Sequence, residues 1–329
     1  MDTAPTLADM LARYYGARAA ALHPLAGGGG AGLYRVERDG QPPWLLRAAP
    51  SGSDPAAFAG DAAVLAFLAR HAYPAPRVVP TVAGAAVAAW GPRPVLVTTF
   101  LAGEPLGCAP ADLGRLGALL GRLHALPLPA PADARAGGAV AIPPARMLPR
   151  PELAAARAWL AEVRDAVPRP HRARYEALDA ACRTLDPLED LPPVLLRNDC
   201  HPGNGLRTPD GGAALIDWAG AGRGAAVIDV GFLLVSGAIT AFGPNRLPPD
   251  PARLAAIVDG YCRYHRLTAQ EVDRLPDAIR FRAVVACAAA LRRMVRAGRA
   301  DDGAGWAWAR YTAAGAIAAR AGEYFARRT

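Results

Sequence analysis

The sequence predicts an α+β chain of two lobes, a small antiparallel-sheet lobe over residues 1–101 and a larger, mainly helical lobe over residues 102–329. Three observations predict it. Strand-like runs crowd between residues 20 and 100, two of them joined through Asp39-Gly40, a hairpin turn signal. Beyond Gly103 and Pro105, stretches of helical period dominate, with one further strand cluster among them. With 52% hydrophobic and 20% charged residues over 329 positions, the chain has apolar material for two cores.

The first element is a short helix over 6–15. Thr6 can cap it, Asp9 stands at the capping-box position and Gly16 can end it. Three strand candidates follow: Leu22 to Ala26, Leu33 to Glu37 and Trp44 to Arg47. Ala56 to Arg70 is helical by composition and period and closes before Pro74 and Pro76. Two or three more short strands end with Val95 to Phe100, and a crossover near 98–104 leads out of the small lobe. The larger lobe reads as helices at about 111–125, 151–165, 170–184, 226–237, 251–264, 275–298 and 304–327. One strand cluster interrupts them: Val194 to Leu196, Gly205 to Arg207 and Ala213 to Ile216, with a Pro209-Asp210-Gly211 turn inside. The Pro-rich stretch 126–150 reads as a surface loop.

Composition excludes several chemistries. Lys+Arg is 37 and none is lysine. A Walker-A phosphate loop needs its lysine, and so does a Schiff-base or pyridoxal enzyme. An arginine where lysine is expected can be compositional drift in so Ala-, Gly-, Pro- and Arg-rich a chain. The net charge of +8 is spread over scattered arginines, many beside Asp or Glu, and reads as a solvated surface rather than a nucleic-acid footprint. The five cysteines are far apart and show no metal-ligand spacing, so reduced thiols in the cytoplasm are expected. The N-terminus has no basic region followed by an apolar stretch, so no signal peptide is expected. No segment approaches the ~18 apolar residues of a spanning helix. Neither G-x-S-x-G nor H-E-x-x-H occurs.

Three constellations carry chemistry. Gly27, Gly29 and Gly32 satisfy G-x-G-x-x-G within a run of glycines. A dinucleotide fingerprint must open into a helix, but the residues that follow read strand–turn–strand, the setting of a glycine-rich flap over phosphates. Without Cβ atoms such a backbone approaches phosphate oxygens closely; a plain flexible turn is the alternative. Arg47 ends a strand one hairpin later, either as a surface cation or facing the flap, and Asp61 starts an apolar helical stretch. The third constellation is Arg197-Asn198-Asp199-Cys200-His201-Pro202-Gly203-Asn204, followed by Leu215-Ile216-Asp217-Trp218. Asn204 and Asp217 are two oxygen ligands from two chain segments, which suits Mg²⁺, and Asp199 is then free to face a substrate hydroxyl. The alternative is an Asx-rich turn.

These residues resemble the aminoglycoside phosphotransferase/choline kinase family, small-molecule relatives of protein kinases. That family's H-G-D-x-H-P-x-N and I-D-W/F-E appear here as R-N-D-C-H-P-G-N and L-I-D-W-A. The resemblance runs in order over most of residues 20–310. It includes Val97-Thr98-Thr99-Phe100-Leu101 at the crossover, Gly121-Arg122-Leu123-His124 and Ile228-Asp229-Val230-Gly231. It implies a bilobal protein-kinase-like fold and transfer of the γ-phosphoryl of ATP or GTP, with Mg²⁺, to a hydroxyl of a small molecule. Residues 1–101 would bind nucleotide beneath the glycine flap, and residues 102–329 would carry the catalytic loop, metal site and acceptor helices. Asp199 would be the base, and Asn204 and Asp217 the metal ligands. Arg47 would stand for the phosphate-binding lysine, paired with Asp61 in place of glutamate. The backbone of Thr98, Thr99, Phe100 and Leu101 would bond the base. Arg197, His201 and Asp229 would support the loop. Acceptor walls would come from Trp218, Asp259, Tyr261, Asp301, Asp302 and Trp306. The implied partners are the nucleotide and a hydroxylated acceptor, with no nucleic acid or membrane, in a monomeric cytoplasmic protein.

Five departures stand out. Arg197 replaces histidine and Asn198 replaces glycine, a mild change because asparagine tolerates left-handed backbone. Arg47 and Asp61 replace lysine and glutamate, and a longer cation with a shorter acid still pairs. Ala219 stands where the family often has glutamate, which together with the basic composition argues against a polycationic aminoglycoside acceptor. The alternative function is a nucleotide-binding pseudokinase with a regulatory or interaction role.

Overall fold

The computed structural model describes residues 6–18, 21–25, 32–129, 141–238, 249–299 and 305–326. They divide into two compact units. The first takes in Met1–Glu104, Pro129–Pro143 and Leu206–Gly220, and the second Pro105–Leu128, Pro144–Gly205 and Ala221–Thr329. The small unit is built on antiparallel sheet and the large one is mainly helical.

In the first unit, α1 (Leu7–Tyr15) begins on a capping box in which Thr6 and Asp9 each accept the other's backbone N–H, and Gly16 ends it at φ 65°. The strands are β1 (Ala21–Pro24), β2 (Gly32–Arg38), β3 (Gln41–Ala48), β4 (Ala88–Trp90) and β5 (Arg93–Thr99). They form one sheet of order β1-β2-β3-β5-β4, with every neighbour antiparallel. Strand side chains alternate faces. Val36, Leu46, Ala48, Val95 and Val97 therefore pack with Met10, Leu11 and Tyr15 of α1 in one core. The same alternation sends Arg47 and its register partner Leu96 to the other face, where α2 (Pro55–Arg70) packs against β5. Asp54 caps α2, accepting Ala56 N–H at 2.9 Å, and Pro55 takes the first helical position. Asp61 therefore lies in the middle of the helix, within the span expected from Ala56 to Arg70. After the short β6 (Glu104–Pro105), the chain returns to this unit in a hairpin of β8 (Gly205–Arg207) and β9 (Ala213–Leu215), and Leu215 N–H bonds the Pro74 carbonyl at 3.2 Å.

The second unit contains α3 (Pro110–His124), α4 (Pro149–Val163), α5 (Arg172–Thr184), α6 (Ala226–Ala238), α7 (Pro251–Cys262), α8 (Ala269–Arg296), α9 (Gly305–Ala318) and α10 (Ala321–Ala326). The long α8 is its hub, packing against α4, α5, α6, α9 and α10. It starts earlier than its apolar pattern suggests because Thr268 and Glu271 form a second capping box, and Pro276 sits within its early turns. The expected single helix over 304–327 is two, broken at 319–320. The chain at 149–150 is already helical rather than loop. One strand the sequence does not announce, β10 (Gly222–Ala225), pairs antiparallel with β7 (Pro193–Leu196).

Helices α3 and α7 come unusually close. A Cβ on Gly121 would run into the Tyr261 carbonyl, and one on Gly260 into that of Gly114. This approach sets His124 against Tyr261. No helix among the described residues is long and apolar enough to cross a membrane.

Candidate active site

In the second unit, β7 delivers the chain to a loop whose backbone is fixed by one carboxylate. Asp229, in the first turn of α6 and fully buried, accepts Arg197 N–H at 2.6 Å and Asn198 N–H at 2.9 Å. Its Oδ2 also lies 3.4 Å from His124 Nε2, while His124 Nδ1 meets the Tyr261 hydroxyl at 2.9 Å. Burial, aided by the charges of Glu271 and Asp229, pushes the Tyr261 phenol well above its ordinary value. The hydroxyl thus stays protonated and hydrogen-bonds Nδ1, while the other ring nitrogen faces Asp229. Asn198 sits at φ 70°, the left-handed backbone that asparagine tolerates. Its carbonyl accepts from Arg282 Nη2, and its Oδ1 accepts from the same nitrogen at 3.2 Å.

Asp199 follows directly. Burial works to raise its pKa, but the His201 hydrogen bond and charge, with the charges of Arg197 and Arg282, outweigh it and hold the carboxyl below 3.8. Asp199 is therefore ionised at neutral pH. His201 Nε2 lies 3.7 Å from Asp199 Oδ2, and His201 Nδ1 accepts Gly203 N–H at 3.2 Å, capping the turn Pro202–Asn204. His201 thus orders the loop. Asn204 Nδ2 donates to the Asp199 carbonyl at 2.9 Å and to Oδ2 at 3.2 Å. Its side-chain oxygen, a hard ligand atom, takes no hydrogen bond among the described residues. The Cys200 thiol is buried, and burial raises its pKa well above 9.0, so it is no nucleophile.

The first unit carries a second polar centre. Arg47 on β3 pairs with Asp61 of α2 and lies 4.4 Å over the Phe58 ring. Asp61 is 3% exposed, and its other oxygen accepts Gly220 N–H at 3.1 Å. One carboxylate therefore ties the cation to the loop after β9. That loop contains Asp217 at φ 58°, a rare conformation for a side-chain-bearing residue. Trp218 anchors it, with Nε1 donating to Leu215 C=O at 2.9 Å and the ring edge-on to Tyr73. The Asp217 carboxylate makes no hydrogen bond or ion pair among the described residues.

The remaining sequence candidates fall out as follows. Gly27, Gly29, Asp301 and Asp302 lie outside the described residues. Gly32 opens β2, and the antiparallel pairing of Pro24 with Tyr34 on either side of the glycine run shows that a strand, not a helix, follows it. Thr99 N–H and Phe100 N–H are taken by the carbonyls of Arg77 and Pro43, at 2.8 and 3.1 Å, and Thr98 bridges to Val78. Of the crossover amides, Leu101 N–H makes no hydrogen bond among the described residues. Trp218 and Tyr261 are core residues, 4% and 1% exposed. Asp259 is exposed on α7, and Trp306 lies on α9. Sequence reasoning missed Arg282, one of several arginines of α8, 84 residues from Asn198, and the Gly220 amide. Among the described residues no group of three or more His, Cys, Asp and Glu gathers as a metal site; Mg²⁺ asks for fewer protein ligands than that.

A family model described as "Phosphotransferase enzyme family" matches residues 21–266. No curated protein matches the sequence. Among solved structures, amicoumacin kinase hAmiN in complex with AMP-PNP, Ca²⁺ and Ami is similar at 15% identity and TM-score 0.64, covering 89% of this chain and 87% of that one. A microcompartment-associated aminopropanol kinase is similar at 21% identity and TM-score 0.58, covering 98% and 97%. Spectinomycin phosphotransferase APH(9)-Ia, in complex with ADP and spectinomycin, is similar at 14% identity and TM-score 0.63, covering 96% and 97%. At these identities the likeness is one of fold.

Proposed function

Because the chain belongs to the phosphotransferase enzyme family, we propose that it moves the γ-phosphoryl group of ATP or GTP to a hydroxyl of a small molecule, with Asp199 as the base. The observation that carries this reading is the Asp229 bracket. A buried carboxylate holding two successive N–H groups fixes the backbone directly before an ionised Asp199. Phosphoryl transfer through a loose transition state asks mainly for positioning and charge. Asp199 orients the acceptor hydroxyl and takes its proton late.

Asn204 and Asp217 hold Mg²⁺; each offers an oxygen that no described residue uses. When bound, the ion neutralises charge on the phosphates. Arg47, kept in place by Asp61, contacts phosphate oxygens through its planar fork. Gly27, Gly29 and Gly32 form the flap, and Leu101 N–H receives the base. Residues 1–101 serve the nucleotide and residues 102–329 the acceptor. All these groups belong to one chain, so a monomer suffices, and the reaction is placed in the cytoplasm, where the five free thiols stay reduced.

A second reading, a nucleotide-binding protein without turnover, has the Arg47 and Arg197 replacements behind it. One experiment decides. The protein is incubated with Mg²⁺ and ATP or GTP and a panel of alcohols, and phosphorylated product is followed by mass. Turnover is expected, and Asp199→Asn lowers it by about 10²–10⁴-fold, the usual worth of a positioned base. Full activity in that variant overturns the role of Asp199, and absence of product across the panel favours the second reading.

A further inference from the structure

Within the second unit, α6, α8 and α9 line a cavity of about 190 Å³. Its walls are mainly apolar, with Phe232 and Val235 from α6 and Ile279 and Ala286 from α8. Arg282 and Arg310 also line it, and both guanidinium groups sit against the Phe232 ring, at 4.8 and 5.3 Å from its centroid. Carboxylates already meet their charge. Those of Asp229, Asp199 and Glu152 act on Arg282, and that of Asp199 acts on Arg310. An ammonium group entering here meets two guanidinium groups, and a carboxylate meets the acids that balance them. Burying an unmatched charge is costly, so the walls suit a body without charge. Native interiors keep few voids larger than a water molecule, and alanine at 286 leaves open what a larger side chain would fill. A dry apolar cavity of ~150 Å³ takes up benzene, so this one has room for a carbon body of about six to eight atoms.

The cavity adjoins the reacting carboxylate. The His201 ring lies 6.4 Å from that of Phe232, and His201 Nε2 lies 3.7 Å from Asp199 Oδ2. Arg282 donates to the carbonyl of Asn198, the residue before Asp199.

We propose that the acceptor is a small uncharged alcohol with an apolar body, which fills this cavity while its hydroxyl reaches Asp199. This rests on the phosphotransferase reading and deepens it. Val235 and Ala286 set the length of body that the cavity takes. In the reaction, the hydroxyl oxygen forms a bond to the γ-phosphorus of the nucleoside triphosphate. The bond from that phosphorus to the β,γ-bridging oxygen breaks, its electron pair leaves with the nucleoside diphosphate, and the hydroxyl proton passes to Asp199. A drug-sized acceptor asks for more room, ~300–1,000 Å³.

The test uses the full chain with Mg²⁺ and ATP or GTP. Three acceptor sets of matched length are compared by product mass: unsubstituted primary alcohols, ω-amino alcohols and ω-hydroxy acids. Among the uncharged alcohols, kcat/KM is expected to rise about 3- to 4-fold per added methylene, the worth of burying one. It peaks at about six to eight carbons, where the cavity is full, and there exceeds both charged sets by about 10-fold or more. Ala286→Leu fills part of the space and moves the peak to shorter alcohols, and Val235→Ala opens space and moves it to longer ones. A general loss of stability lowers all lengths alike and moves the peak in neither direction. A flat length profile, preference for either charged set, or a peak that neither variant moves overturns the proposal. If nucleotide hydrolysis sensitive to Asp199→Asn persists in that case, the phosphotransferase reading stands without it. If the wild type neither hydrolyses nor transfers, both fall. Should Ala286→Leu not fold, Ala286→Val, a smaller change at a half-buried position, is read in the same way: a peak at shorter alcohols supports the proposal, and an unmoved peak contradicts it.

Discussion

The polar centres of the two units are held by opposite means. Around Asp199, the contacts that fix the loop end on main-chain atoms: Asp229 receives the N–H groups of Arg197 and Asn198, and Arg282 donates to the Asn198 carbonyl. Around Arg47, the fixing contact is between side chains, and only the far end of Asp61 reaches a backbone amide, that of Gly220. Every residue but proline carries a backbone N–H. The side chains at positions 197 and 198 can therefore depart from the family's histidine and glycine while the bracket stays, provided position 198 accepts φ 70°. The Arg47–Asp61 pair has no such freedom. Its combined reach between β3 and α2 must be conserved, so a longer cation goes with a shorter acid.

The largest effect is expected from breaking the backbone bracket. Asp229→Ala leaves two buried N–H groups without an acceptor, each costing about 1–3 kcal/mol. A fall in unfolding free energy of about 3 kcal/mol or more is expected in urea titration, and product formation drops with it. A loss under about 1 kcal/mol means that the loop is not held there. A smaller and compensable effect is expected at the side-chain pair. Arg47→Lys and Asp61→Glu alone each raise KM for the nucleotide and lower Tm. The double variant recovers, with a coupling energy of about 0.5–3 kcal/mol, as for contacting residues in a double-mutant cycle. Strict additivity contradicts the account of Arg47 and Asp61 as one reach-conserving unit.

How much of this is legible in the sequence follows the same division between local and distant contacts. The capping box of Thr6 and Asp9, the Asp39-Gly40 turn and the left-handed Asn198 are local chemistry and read directly. The sequence pattern already puts Asp61 inside the helix over Ala56 to Arg70, but nothing in it points to the Gly220 amide that Asp61 holds, because that partner lies 159 residues away. β10 is Gly-Arg-Gly-Ala, with no strand-forming residue; it is a strand only because β7 pairs with it, and propensity says nothing of a partner. Aromaticity alone suggests Trp218 and Tyr261 as acceptor walls, yet their polar atoms are turned inward to Leu215 and His124, and both belong to cores. Arg282 acts on Asn198 from another helix, a pairing that no spacing rule reports.

The most direct test of the central claim follows Tm as nucleotide is titrated in the presence of Mg²⁺, in wild type, Asp217→Ala and Asp199→Asn. Ligand linkage raises Tm when the folded protein binds. The account predicts a clear upward shift in wild type, most of it lost in Asp217→Ala and nearly all of it kept in Asp199→Asn, the variant that no longer turns over. No shift in wild type, or an equal shift in Asp217→Ala, would contradict it.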